Sequence, residues 1–133
     1  TALLEIDATG HLDGQLIDPA RYGEGLDDHE RKHDLVVLVV RPENTVPEWR
    51  AFVLRQADRL VQLAEIESTP KRLAGTDRPF SLALIDYNDT PHPALSWIET
   101  CAPARHFRLR VGERLGSDVG RMARRLTERS IGI

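Results

Sequence analysis

The sequence predicts a Rossmann-like α/β sandwich, a mostly parallel sheet of about five strands with helices on both faces. Short apolar, β-branched runs alternate with stretches whose apolar residues recur at helical spacing, the order that builds a parallel sheet with crossover helices. Residues 35–40 read Leu-Val-Val-Leu-Val-Val, the unbroken run expected of a strand buried on both faces. The chain has 133 residues, 41% hydrophobic and 29% charged, which suits one globular domain with its own core. An α+β arrangement is the alternative.

The elements follow in order. Residues 2–6 form a strand candidate, and the turn-rich segment 7–14 follows it. Residues 22–33 are polar and at best helical, weakened by Gly23 and Gly25. After the strand at 35–40 and a loop at 41–47, residues 48–58 place Trp49, Phe52, Val53 and Ala57 near helical spacing, with Pro47 suited to the first turn. Trp49, Phe52 and Val53 are the expected buried face. Strands are expected at 60–64 and 80–85, separated by a loop at 69–79. Residues 86–93 are turn-rich and 94–101 make a short helix with Leu95, Trp97 and Ile98. Residues 106–111 alternate Phe107, Leu109 and Val111 as a strand. The last helix, 115–127, carries Leu115, Val119, Met122, Ala123 and Leu126 on one face, with Ser117 or Asp118 as its cap. No internal repeat is visible.

Composition excludes several classes. The single cysteine, Cys101, rules out an internal disulfide and a cysteine-rich metal site. The longest apolar run is too short for a bilayer, and no signal-peptide pattern opens the chain, so a cytoplasmic location is expected. The net charge of −3 hides an asymmetry: residues 1–34 hold nine acids against three bases, and residues 105–133 hold eight arginines against three acids. Solvated faces account for this, or a basic face turned to an acidic partner or anionic lipid. Nucleic acid is not expected, because Phe107 is the one aromatic in the basic region and gives no stacking platform.

Leu4-Glu5-Ile6-Asp7 and Ala57-Asp58-Arg59-Leu60-Val61 resemble strands of MinD/ParA-like ATPases, but the chain has no Gly-rich loop with a lysine to cradle phosphates. Gly-x-Ser-x-Gly is absent, and Ser117 reads as a helix cap. Cys101 with His106, five residues on, reads as a small buried residue and an unrelated histidine. His29 and His33 stand at i,i+4 near Glu30 and Asp34, a pattern that a solvated polar helix also produces. Asp7 and Asp86 both end strands, yet the lysine of a phosphoacceptor site is missing after 109–111. No catalytic, cofactor-binding or metal residue is assigned.

Three segments together resemble the region before the catalytic domain in neuropathy-target-esterase-like patatin phospholipases. Thr45-Val-Pro-Glu-Trp49 with Leu54-Arg-Gln-Ala-Asp-Arg-Leu60 is similar to that family's T-P-W-T and R-Q-A-D-x-I-L stretch. Ser81-Leu-Ala-Leu-Ile85, Trp97-Ile98 and Arg105-His-Phe-Arg-Leu-Arg110 are similar to its L-V-L-L-H, W-L and H-L-H-L-R stretch. Asp118-Val-Gly-Arg-Met-Ala-Arg-Arg-Leu-Thr127 with Ser130-Ile-Gly-Ile133 is similar to D-F-x-R-L-A-R-x-L-T-G-x-x-I-A-L. The resemblance implies a single α/β domain over 1–129, with 130–133 opening the strand that leads into a patatin domain. The two apolar ends suggest a slice of a longer polypeptide. It further implies a non-catalytic linker or regulatory role, coupling cyclic-nucleotide-binding-like modules to a (lyso)phospholipase whose Ser–Asp dyad lies outside this chain. The implied partners are those two neighbouring domains, with the membrane reached through the parent. Arg121, Arg124 and Arg125 are the candidate partner or membrane surface. The competing reading is a degenerate MinD/ParA-like nucleotide-sensing or protein-interaction module.

Overall fold

The computed structural model describes residues 1–89 and 93–127. The chain is mixed α/β and divides into two compact units, Thr1–Asp58 and Arg59–Ile133.

In the first unit, strand β1 (Ala2–Glu5) pairs in parallel with β4 (Val36–Val39), Leu4 opposite Leu38. Between them a small hairpin, β2 (His11–Leu12) and β3 (Gln15–Leu16), turns through Asp13 and Gly14. Both turn residues have positive φ (49° and 81°), which glycine and aspartate tolerate and which matches the strand twist. Asp7 fixes the approach to the hairpin: its carboxylate accepts Thr9 N–H at 2.8 Å, Thr9 O–H at 2.6 Å and His11 N–H at 3.1 Å. A 3-10 turn at Pro19–Arg21, capped by the Asp18 side chain, leads into helix α1 (Tyr22–Lys32). Helix α2 (Pro47–Gln56) starts on proline, whose missing N–H costs nothing in a first turn.

One face of the β1–β4 pair is covered by both helices. Leu4, Ile6, Tyr22, Trp49, Phe52 and Val53 make the core cluster. Tyr22 meets Trp49 and Phe52 edge-on, with centroids 5.2 and 5.4 Å away. Trp49 donates its indole N–H to Val39 O at 2.9 Å, so its polar handle is satisfied. The expected buried face of α2 is therefore the observed one.

In the second unit, β5 (Val61–Glu65), β6 (Ser81–Asp86) and β7 (Arg105–Arg110) form a three-stranded parallel sheet with β6 in the middle. Residues Ser81, Leu82, Ala83 and Leu84 of β6 are buried, as a central strand requires. Helix α3 (Pro93–Cys101) is anchored by Trp97, which donates to Ile66 O at 3.1 Å. Cys101 is buried and donates to Lys71 O at 3.5 Å, and burial pushes its thiol pKa up. Helix α4 (Leu115–Thr127) packs on β7.

Among the described residues the parallel ladders hold two strands in the first unit and three in the second. Three readings differ from the structure. The 35–40 run is not buried on both faces, since Leu35 is 44% and Val37 37% exposed. Valine favours extended backbone whichever face it shows, so an unbroken apolar run does not report burial. Val119 of α4 is 40% exposed, at the margin of the apolar face. Ser117 and Asp118 both lie inside α4, so neither caps it. Residues 90–92 and 128–133, including the expected final strand at 130–133, lie outside the described residues.

Candidate functional site

The charged groups of the second unit gather at the C-terminal end of its parallel sheet, the end at which open α/β sheets place their functional loops. Strand geometry explains the gathering. Arg108 and Arg110 are two apart on β7, so both side chains lie on one face of the sheet, and Asp86 at the end of β6 is opposite Arg110 in register.

Asp86 is only 1% exposed. Arg108 Nε donates to its Oδ2 at 2.7 Å and the guanidinium Nη2 reaches the same oxygen. Asn88 N–H donates to Oδ1 at 3.1 Å. Asp89 stands 3.8 Å from Arg108. Beside this pair, Asp118 of α4 is 4% exposed and takes three bonds from Arg110: the backbone N–H at 3.0 Å, Nε at 2.9 Å and Nη2 at 2.7 Å. These bonds, led by that of the guanidinium, hold the Asp118 carboxyl far below the usual carboxylate range despite its burial. Hydrogen bonding to Asp118 in turn raises the Arg110 pKa. Both buried carboxylates are thus bound by arginine side chains, which suits them to tie α4 and β6 to β7. At Asp118 the depressed pKa opposes the proton uptake that general acid catalysis requires.

On α4, Arg121, Arg124 and Arg125 are exposed, while Leu115, Met122 and Leu126 are partly buried. Arg105 of β7 donates to the carbonyl of Arg125 at 3.1 Å, bringing a fourth guanidinium to the helix. The structure therefore leaves the three predicted arginines on one basic surface and pairs Asp118 with Arg110 instead.

The other candidates have surroundings of their own. His106 is exposed on β7, and Cys101 is engaged with Lys71. His29 and His33 stack with ring centroids 6.0 Å apart. Among the described residues no three His, Cys, Asp or Glu side chains converge on a metal position. No described helix is long and apolar enough to cross a membrane. The two Arg–Asp pairs are not legible in the sequence, although Arg108 and Arg110 flank the apolar Leu109 on one strand.

Residues of this chain align over 114 positions, at 34% identity and 84% of its length, with proteins described as uncharacterized NTE family proteins from Mycobacterium bovis and from two strains of Mycobacterium tuberculosis. The chain spans 18% of the length of those relatives. No protein-family model matches the chain, and no solved structure is significantly similar to it.

Proposed function

We propose that this chain is a non-catalytic linker and regulatory segment of an NTE-family, patatin-like (lyso)phospholipase, coupling cyclic-nucleotide-binding-like modules to the lipid hydrolase. The observation that carries the reading is the match itself: most of this chain aligns with under a fifth of proteins named for that family. The remaining length of such proteins holds room for a hydrolase and its regulatory modules. The parallel ladders support a Rossmann-like fold for the segment.

Geometry supports the non-catalytic part. The two buried carboxylates at the sheet end are locked in guanidinium forks, which fix secondary structure rather than wait for a substrate. The basic surface of Arg121, Arg124 and Arg125 supports a contact with an acidic neighbour or an anionic lipid surface. Each arginine near such a surface contributes about 1 kcal/mol, screened by salt.

The test is charge reversal of Arg121, Arg124 and Arg125 to glutamate in the full-length protein that carries this segment. Flotation with vesicles should show that the reversal weakens binding more on phosphatidylserine-containing than on purely phosphatidylcholine bilayers, and that this difference shrinks as salt rises. Equal binding before and after reversal, with equal hydrolysis, would remove the surface from the account.

A further inference from the structure

The two faces of the β1–β4 pair meet different surroundings. Leu4 and Ile6 belong to the core cluster with Tyr22 of α1 and Trp49, Phe52 and Val53 of α2, and Val36, Leu38 and Val40 pack against it. Side chains alternate along a strand, so the odd positions take the opposite face. There Leu3 is 66% exposed, Val37 37%, and Leu35, just before β4, 44%. Leu3 stands opposite Val37 in register, and the Leu35 carbonyl accepts Ala2 N–H at 2.9 Å. The three side chains therefore form one apolar row across two bonded strands. Glu5, the next odd position of β1, ion pairs with Arg41 and closes the row at its C-terminal end.

A single exposed leucine is ordinary, but a contiguous apolar row on a parallel pair is not. Parallel strands occur almost only where both faces are covered, because the helices that connect them lie on those faces. Here α1 and α2 both pack on the even side. The spacing of the row suits a helix. Leu35 and Val37 are two residues apart on an extended chain, about 6.6 Å, close to the separation of i and i+4 side chains on a helix surface. Glu5 and Arg41 neutralise each other, so the row selects an apolar stripe rather than a charged surface.

We propose that the odd face of the β1–β4 pair is the docking surface for an amphipathic helix supplied by the same polypeptide outside these 133 residues. This chain spans 18% of the NTE-family relatives it matches, and the rest of such a protein is long enough to supply the helix. A helix tethered to the same chain faces its site at a high effective concentration, so a short apolar row is sufficient to hold it. The proposal rests on the family reading for the existence of a longer parent, and it does not depend on lipid hydrolysis.

The experiment places Leu3→Cys or Val37→Cys in the isolated chain and in the full-length protein. Alkylation by iodoacetamide at that position is timed by peptide mass spectrometry. The native Cys101 is buried and reports any unfolding. Alkylation should be at least about tenfold slower in the full-length protein than in the isolated chain. Leu3→Glu should leave the melting temperature of the isolated chain within about 2 °C, as at an exposed site. In the full-length protein the same substitution should return Val37→Cys alkylation to within about twofold of the isolated rate, since docking would bury the new charge. Equal rates in the two proteins would overturn the proposal. Slow alkylation already in the isolated chain, or slowing as its concentration rises, would overturn it in favour of cover by the chain itself or by a second copy. Slowing that requires added vesicles would overturn it in favour of a lipid surface. A full-length protein that protects both positions but releases no fatty acid would leave the docking surface standing and refute the hydrolase reading.

Discussion

Truncating Asp118 to alanine probes what the second unit relies on. The carboxylate accepts three bonds from one residue, Arg110, two of them from its guanidinium. A charge-assisted bond is worth about 1.5–3 kcal/mol, and breaking a buried pair by removing one partner costs about 3–5 kcal/mol. The Arg110 side chain is 29% exposed, so water recovers part of its solvation once Asp118 is gone. The cost should therefore fall at the lower end, roughly 2–3 kcal/mol, or a drop of about 10–20 °C in melting temperature for a domain of this size. Urea titrations followed by circular dichroism measure it. Arg110→Met alone should cost more than Arg110→Met in an Asp118→Ala background, with a coupling energy above about 1 kcal/mol. The pH dependence has a definite sign. The folded carboxyl is depressed, so its contribution is complete above the unfolded carboxyl value near 3.9 and is lost only as pH falls below it. The gap between the wild-type chain and Asp118→Ala should stay constant from pH 7 to 5 and narrow below about pH 4. A cost under roughly 0.5 kcal/mol, additive double mutants, or a gap that closes near pH 6 would refute the reasoning.

Other expectations follow from the same structure. Trp49→Ala should cost about 3–5 kcal/mol by urea unfolding, because a buried ring stacked with Phe52 and bonded to Val39 is lost. Tyr22→Phe should leave the free chain as stable or up to about 1 kcal/mol more stable, since it removes a buried unpaired hydroxyl. Calorimetry with ATP and magnesium should show no binding tighter than roughly millimolar, for want of a phosphate-cradling loop. A micromolar isotherm would favour a nucleotide-sensing module.

Local signals carried most of the element order. Pro47 and the Trp49, Phe52, Val53 spacing mark α2 because burial and helical period coincide there. The apolar period of α4 marks its start at Leu115, although its apolar residues are only partly buried or exposed. Burial in the strands was less legible. Val37 and Leu63 are apolar yet exposed, and a run of valines and leucines encodes extended backbone without saying which faces are covered. The ion-pair site was the least legible, because Asp118 satisfies every local rule for a helix N-terminus. Its partner, Arg110, is eight residues upstream on β7, and only the packing of α4 on that strand brings the two together. The burial of Tyr22 is equally hidden, because the polar segment 22–33 gives no sign of it.

The most direct test of the non-catalytic role compares lysophosphatidylcholine turnover by the full-length protein with turnover by this 133-residue chain at equal molarity. The account predicts fatty-acid release by the full-length protein and none by the chain. Release that copurifies with the chain through successive columns would contradict it.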